Sequence, residues 1–207
     1  MLALYSSDEQ AARQLTADLA GIQASGLAIQ HDVCKESAAL WARPEIQEAD
    51  RLTLVHNACA AFSPVPMHQL TADDFEQNLA VAVKGAWFCS QPLVRLMVKK
   101  KRGEIVTVLT SAISGVPPKG FAAYAVAKHA LHGFTLALAA EYSPRGLKIF
   151  SVSPGYMDTT LTAKWDSRLR DAARGSGRVT IPDQAAVQII KLVQSESTPG
   201  KGEDYPI

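Results

Sequence analysis

Short apolar runs alternate along the chain with longer stretches whose apolar residues return every three or four positions. The runs LALY (2–5), LAIQHDV (27–33), RLTLVHNA (51–58), GEIVTVLTS (103–111) and GLKIFSVS (146–153) read as strands, and the tail GEDYPI adds a last candidate. Between the first two, SSDEQAARQLTADLAG reads as a helix, with Ser7 and Gln10 at capping-box spacing and Gly21 beyond its end. Residues 37–49 suggest a modest helix interrupted by Pro44. Residues 71–101 suggest a long one, capped by Thr71, with acids in its first turn, lysines in its last, and bends at Gly85 and Pro92. A further helix covers about 122–142. A polar, irregular stretch follows from Pro154 to about Thr180, and then a helix over 181–194 with Pro182 in its first turn.

Strands that alternate with helices, several of them apolar on both faces, predict an α/β fold: a doubly wound parallel sheet covered on both sides. Ligands then sit beyond the carboxyl ends of the strands. No repeat or linker divides the chain, so residues 1–207 are expected to form a single domain.

Composition narrows the classes. The 207 residues are 47% hydrophobic with a net charge of +1, which gives no basic field for nucleic acid. Cys34, Cys59 and Cys89 are odd in number and widely spaced, which fits a reducing compartment better than a disulfide framework or a metal site. No run approaches the ~18 apolar residues of a membrane span. The opening MLALYSSDEQ lacks the charged start and long apolar stretch of a secretion signal, so a cytoplasmic location is expected.

The candidate chemistry lies in FAAYAVAKHALHGF (121–134). Tyr124 and Lys128 are four positions apart and share one helix face. A phenol titrates near ~10, and a neighbouring ammonium favours its ionised form. Such a tyrosine can give a proton to a carbonyl oxygen or take one back. A surface tyrosine beside a surface lysine would show the same pattern. Ser111 sharpens the reading: it ends a predicted strand, thirteen positions before Tyr124, where its hydroxyl can hold a carbonyl against the phenol.

Ser111, this spacing, YAVAK and SVSPGYMDTT together resemble the core of the short-chain dehydrogenase/reductase family. HDV (31–33), LVHNACA (54–60) and GRVTIPDQAAVQII extend the resemblance over nearly the whole chain. The closest flavour is that of the 3-oxoacyl-[acyl-carrier-protein] reductases, from LMVKKKRGEIV and SPRGLKIFSVSPGYMDT. The resemblance implies a Rossmann-like fold and NAD(P)H-dependent reduction of a ketone or acyl-thioester carbonyl. It implies catalytic roles for Ser111, Tyr124 and Lys128. Asp32, Asn57, Lys128, Pro154, Gly155 and Thr159 would lie along the dinucleotide. It also implies a homo-oligomer, dimer or tetramer, paired through the helices at 71–100 and 122–142, where Ala122, Ala123, Ala125, Ala127 and Ala130 smooth the second helix. Those alanines equally suit packing onto the helix's own sheet.

The sequence departs from the family at the cofactor end. No strand with a glycine-rich turn precedes LALYSSDEQAARQL, which resembles the family's second strand and following helix. The missing strand would be central. Three outcomes are open: strand 2–5 closes against strand 52–55, another chain donates a strand, or the sequence is a shortened form of a longer protein. Ala82 stands where the family has an asparagine that supports a proton-relay water, with Asn78 one turn earlier as a candidate substitute. Cys59 stands where the family has glycine and is expected to crowd the adenosine ribose. YSSDEQ after the first strand favours NADP(H) over NAD(H), with no bound dinucleotide as the other outcome. The alternative function is a catalytically impaired, reductase-like scaffold or regulatory subunit.

Overall fold

The computed structural model describes residues 1–175, 178–197 and 200–207. The strands are β1 (Leu2–Tyr5), β2 (Leu27–Gln30), β3 (Thr53–His56), β4 (Gly103–Val108), β5 (Leu147–Ser153) and β6 (Lys201–Pro206). The helices are α1 (Glu9–Gly21), α2 (Ala38–Trp41), α3 (Pro44–Gln47), α4 (Ala72–Leu79), α5 (Gly85–Lys100), α6 (Ala122–Tyr142), α7 (Ser167–Gly175) and α8 (Pro182–Gln194). Every pairing among these strands is parallel. The tail strand forms as expected and closes one edge on β5.

The core follows from the two-faced apolar strands. β4 is buried at every position, and Ile105, Val106, Ile149, Phe150 and Val152 are fully shielded. Each such side chain stabilises the fold by roughly 1.5–3 kcal/mol. Met97 and Leu93 of α5 and Leu138 of α6 pack on one side with Ile105 and Ile149. Ile189 and Leu192 of α8 cover Val106, Phe150 and Val152 on the other. This anchored centre holds the carboxyl ends of β4 and β5 side by side.

Between β1 and β3 the sheet is interrupted. β1 pairs only with β2, and β3–β4–β5–β6 form a separate sheet. The expectation that strand 2–5 might close against 52–55 is therefore not met. The two edges face one another across a cavity of about 780 Å³.

Several local expectations shift. α1 is capped by Asp8, whose carboxylate accepts the Ala11 N–H, and not by Ser7. A carboxylate is the stronger acceptor at a helix N-terminus. Pro44 splits residues 37–49 into α2, capped by Ser37, and α3, which Pro44 opens at its first position. Thr71 does cap α4. The long helix is interrupted before Gly85 by a π-helical turn, Ala80–Lys84, while α5 runs through Pro92 unbroken. Gly85 meets Val33 so closely that a Cβ there would lie 2.8 Å from its side chain. The stretch after Pro154 contains α7 and a bridge between Tyr156 and Val179, so it is more ordered than its polar composition suggests. Gly177, the first residue of GRVTIPDQAAVQII, lies outside the described residues.

Candidate active site

β4 delivers the site's first residues. The chain leaves the strand at Leu109, and Thr110 caps a short 3₁₀ turn, Ser111–Ile113, by accepting the Ala112 N–H. The Ser111 N–H donates to the Pro154 carbonyl at 2.8 Å, which ties the end of β4 to the turn after β5. Ser111, Tyr124, Pro154, Gly155 and Thr159 all line one cavity of about 650 Å³. Five of the residues singled out in the sequence thus converge at the carboxyl ends of β4 and β5.

Lys128 lies deeper, beneath Tyr124. Its side chain is buried, its ammonium donates to the Val108 carbonyl at 2.7 Å, and Nζ sits 5.8 Å from the Tyr124 ring centroid. Burial lowers the ammonium's pKa, and Cys59 offsets part of this. The Tyr124 phenol is raised above its ordinary value, first by burial and then by Cys59, while the Thr110 hydroxyl pulls it down. The net direction is upward, so burial outweighs any lowering by the Lys128 ammonium that the sequence leads one to expect. Desolvation dominates, and the ammonium is engaged by a backbone carbonyl.

Asp32 and Asn57 are not part of this cavity. The Asp32 carboxylate accepts the Cys34 N–H at 2.9 Å and stands 4.0 Å from the Lys35 ammonium. Asn57 is exposed and borders the cavity between β1 and β3. Ala82 packs with Ala86, Leu109, Ala127 and Leu131. Asn78 is buried with its amide donated to the Asp74 carbonyl of its own helix. Cys59 is half-buried and close enough to Tyr124 and Lys128 to shift both; its own thiol is raised by burial and lowered by Lys128.

Sequence reasoning missed the aromatic wall. Phe62 stacks on Tyr124, with centroids 4.4 Å apart and planes at 11°. Phe121 and Trp165 meet Phe62 edge-on, each at 5.3 Å, and the Trp165 indole N–H donates to the Phe62 carbonyl. Phe62 and Trp165 lie in stretches without helical or strand periodicity, so no pattern pointed to them. Thr110 was visible as Ser111's neighbour at the strand end. Gly155 has a physical requirement: a Cβ there would collide with the Arg178 carbonyl, which also accepts the Tyr156 N–H at 2.6 Å.

The residues expected along a dinucleotide fit it at one end. Pro154, Gly155 and Thr159 border the cavity beside Tyr124, where a nicotinamide ring would lie. The diphosphate end lacks a cradle among the described residues: no glycine-rich turn leads from a strand into a helix N-terminus there. No group of metal-ligating side chains occurs among the described residues. No helix among them is long and apolar enough to cross a membrane.

A family profile described as short chain dehydrogenase matches residues 1–170. The chain belongs to the short-chain dehydrogenase/reductase family of oxidoreductases. Galactitol 2-dehydrogenase of Rhizobium johnstonii is 35% identical over 153 residues, covering 70% of this chain and 59% of the relative. An uncharacterized oxidoreductase of Escherichia coli is 29% identical over 173 residues, covering 83% of this chain and 68% of the relative. A solved short chain dehydrogenase from Burkholderia cenocepacia in complex with NADP superposes with a TM-score of 0.82 at 26% identity, covering 100% of this chain and 84% of that one. The fold is accordingly the Rossmann-like sheet of this family.

Proposed function

We propose that this short-chain oxidoreductase interconverts a ketone and a secondary alcohol at the cavity shared by Ser111 and Tyr124. The observation that carries the reading is the meeting of Ser111, Tyr124 and the 154–159 turn in one cavity at the strand ends. In the reductive direction the Ser111 hydroxyl donates to the substrate carbonyl and holds it in place. The Tyr124 phenol, kept protonated by burial, delivers its proton to the same oxygen as charge develops there. The buried Lys128 ammonium stabilises the phenolate left behind. When bound, NAD(P)H supplies the hydride, and Pro154, Gly155, Thr159 and Lys128 are the residues that would hold its nicotinamide end. Ser6 and Ser7, exposed just after β1, favour NADP(H) over NAD(H) through a 2′-phosphate.

The aromatic and aliphatic lining from Phe62, Phe121, Met157, Leu161 and Trp165 suits a carbonyl carried on an apolar ring or chain, a class that includes 3-oxoacyl thioesters. The partner expected beyond the substrate is a second copy of the chain. Ala123, Ala125 and Ala127 are buried in their own protomer, so the face offered for pairing on α6 is the stripe of Val126, Ala130, Gly133 and Leu136.

A second reading, a scaffold that does not hold dinucleotide tightly, draws on the want of a glycine-rich turn in this sequence and on Ala82. Titration with NADPH, followed by energy transfer from the tryptophans, separates the two. Saturable transfer with turnover on a panel of apolar ketones supports the oxidoreductase. Neither signal, from a chain that melts cooperatively, supports the scaffold.

A further inference from the structure

The Tyr124 phenol is held from outside its own helix. α6 fixes the backbone of Tyr124, but two side-chain torsions still decide where the hydroxyl lies. One face of the ring is covered by Phe62, parallel to it within 11° with centroids 4.4 Å apart. Phe121, buried just before the first turn of α6, meets both rings edge-on, Phe62 at 5.3 Å and Tyr124 at 5.9 Å. Trp165, also buried, meets Phe62 and Phe121 edge-on at 5.3 Å each. Two ring edges thus grip Phe62, and its flat face is left for the phenol.

Phe62 lies in a stretch without helix or strand, so its fixed place needs anchors of its own. The Trp165 indole N–H donates to its backbone carbonyl at 3.1 Å. Three residues on, the Val65 N–H donates to the Gly120 carbonyl at 3.2 Å. Gly120 has a φ of +83°, and a Cβ there would stand 2.9 Å from the Val65 nitrogen, so glycine lets the loop lie against the turn that opens α6. The anchors come from the two segments, around Phe121 and Trp165, that also line the Ser111 cavity. The Thr110 hydroxyl acts on the phenol oxygen from the end of β4. The titratable groups around the ring are Lys128 on α6, Cys59 on the same loop as Phe62, and Tyr156 and Arg178 along the cavity. None of them can enter a stack of 4.4 Å.

We propose that Phe62 is a positioning residue for the proton transfer: its ring holds the phenol in one plane and keeps water from that face, so that the Tyr124 hydroxyl stays a donor within the cavity it shares with Ser111. The π face of Phe62 carries partial negative charge and opposes charge on the ring beside it. Water kept from that side cannot solvate a phenolate. Displacing a reacting group by about 1 Å costs about 10²-fold in rate, so a ring free to tilt is a poor donor. The role rests on the reading of Tyr124 as the acid in carbonyl reduction and deepens it, but the hold on the phenol is observable without turnover.

Phe62→Ala removes the ring, and Phe62→Leu keeps apolar bulk without a π face should the alanine variant fail to fold. Alkaline titration of phenolate absorbance, each chain read against the same chain carrying Tyr124→Phe, isolates Tyr124, and circular dichroism alongside marks unfolding. In the parent, Tyr124 is expected to ionise only as the chain unfolds. In the Phe62 variants it ionises in the folded chain, about one pH unit or more below the parent. Ketone reduction by these variants falls about tenfold or more and bends downward on the alkaline side, where the parent stays flat. Adding the Phe62 substitution to Tyr124→Phe then changes the rate by less than about threefold, because the ring acts through the hydroxyl. Ionisation only on unfolding in a folded Phe62 variant, or a Phe62 effect of equal size with and without the Tyr124 hydroxyl, overturns the proposal. A chain that reduces no ketone tells against the oxidoreductase reading, and the titration then decides the hold of Phe62 on the phenol by itself.

Discussion

The Lys128 ammonium donates to the Val108 carbonyl at 2.7 Å, so the residue that supports Tyr124 is tied to the last residue of the central strand. This bond fixes where the positive charge lies relative to the phenol. Replacing Lys128 with methionine removes the charge and the donor while keeping the apolar stem. Two effects on stability oppose one another: the Val108 carbonyl loses a partner, and a buried ammonium is no longer desolvated. A net change within about 1 kcal/mol is expected from urea unfolding. Turnover of a ketone substrate should fall about 10²–10³-fold, the usual cost of losing one electrostatic stabiliser. Unchanged turnover would remove Lys128 from the site.

Directionality of the reaction should show in its pH dependence. Burial holds the Tyr124 phenol above its ordinary value. As an acid it is therefore fully protonated through the neutral range, and ketone reduction should be nearly flat between about pH 6 and 9. As a base it must be ionised, so alcohol oxidation should climb with pH across the same range. Initial rates in both directions check this. An inflection in reduction near neutrality would show the ammonium acting on the phenol more strongly than its bond to Val108 allows.

His56 gives a prediction about stability alone. It is buried at the end of β3 with Nε2 2.9 Å from the Ser90 hydroxyl, and burial lowers its pKa from 6.5 to about 4. Below about 6.5 the unfolded chain takes up a proton there, and the folded chain does not until about 4. Stability is thus present above that window and lost as pH falls through it, by about 3 kcal/mol at most. Carboxylates contribute acid sensitivity of their own, so the comparison is with His56→Gln. Urea unfolding at pH 7 and pH 4.5 should show the variant losing about 2 kcal/mol less than the parent. Equal losses would contradict the assignment.

The alternation of strand and helix was legible because β4 and β5 are apolar on both faces, a pattern only a covered parallel sheet satisfies. The nearness of Ser111, Tyr124 and Lys128 to one another was legible because two of them share one helix and the third follows the apolar run of β4 by a few positions. α7 was not, because SRLRDAARG is dominated by polar and charged residues, and its short apolar side of Leu169, Ala172 and Ala173 borders the cavity without being buried. Phe62 and Trp165 were hidden for a different reason: they lie about a hundred positions apart in the chain, and only the fold brings them together beside the cavity of Tyr124. The direction of the Tyr124 pKa also lay beyond the sequence. The i, i+4 spacing with Lys128 is local, whereas the burial that raises the phenol comes from residues distant in the chain, Phe62 among them.

The central claim is that the Tyr124 hydroxyl supplies the proton in carbonyl reduction, and Tyr124→Phe tests it most directly. Phenylalanine keeps the ring that stacks on Phe62, so the fold should persist by circular dichroism and thermal melting. The account predicts that NAD(P)H-dependent ketone reduction falls by about 10²–10⁴-fold in the variant while KM changes little. Reduction at the parent's rate by a folded Tyr124→Phe protein would contradict it.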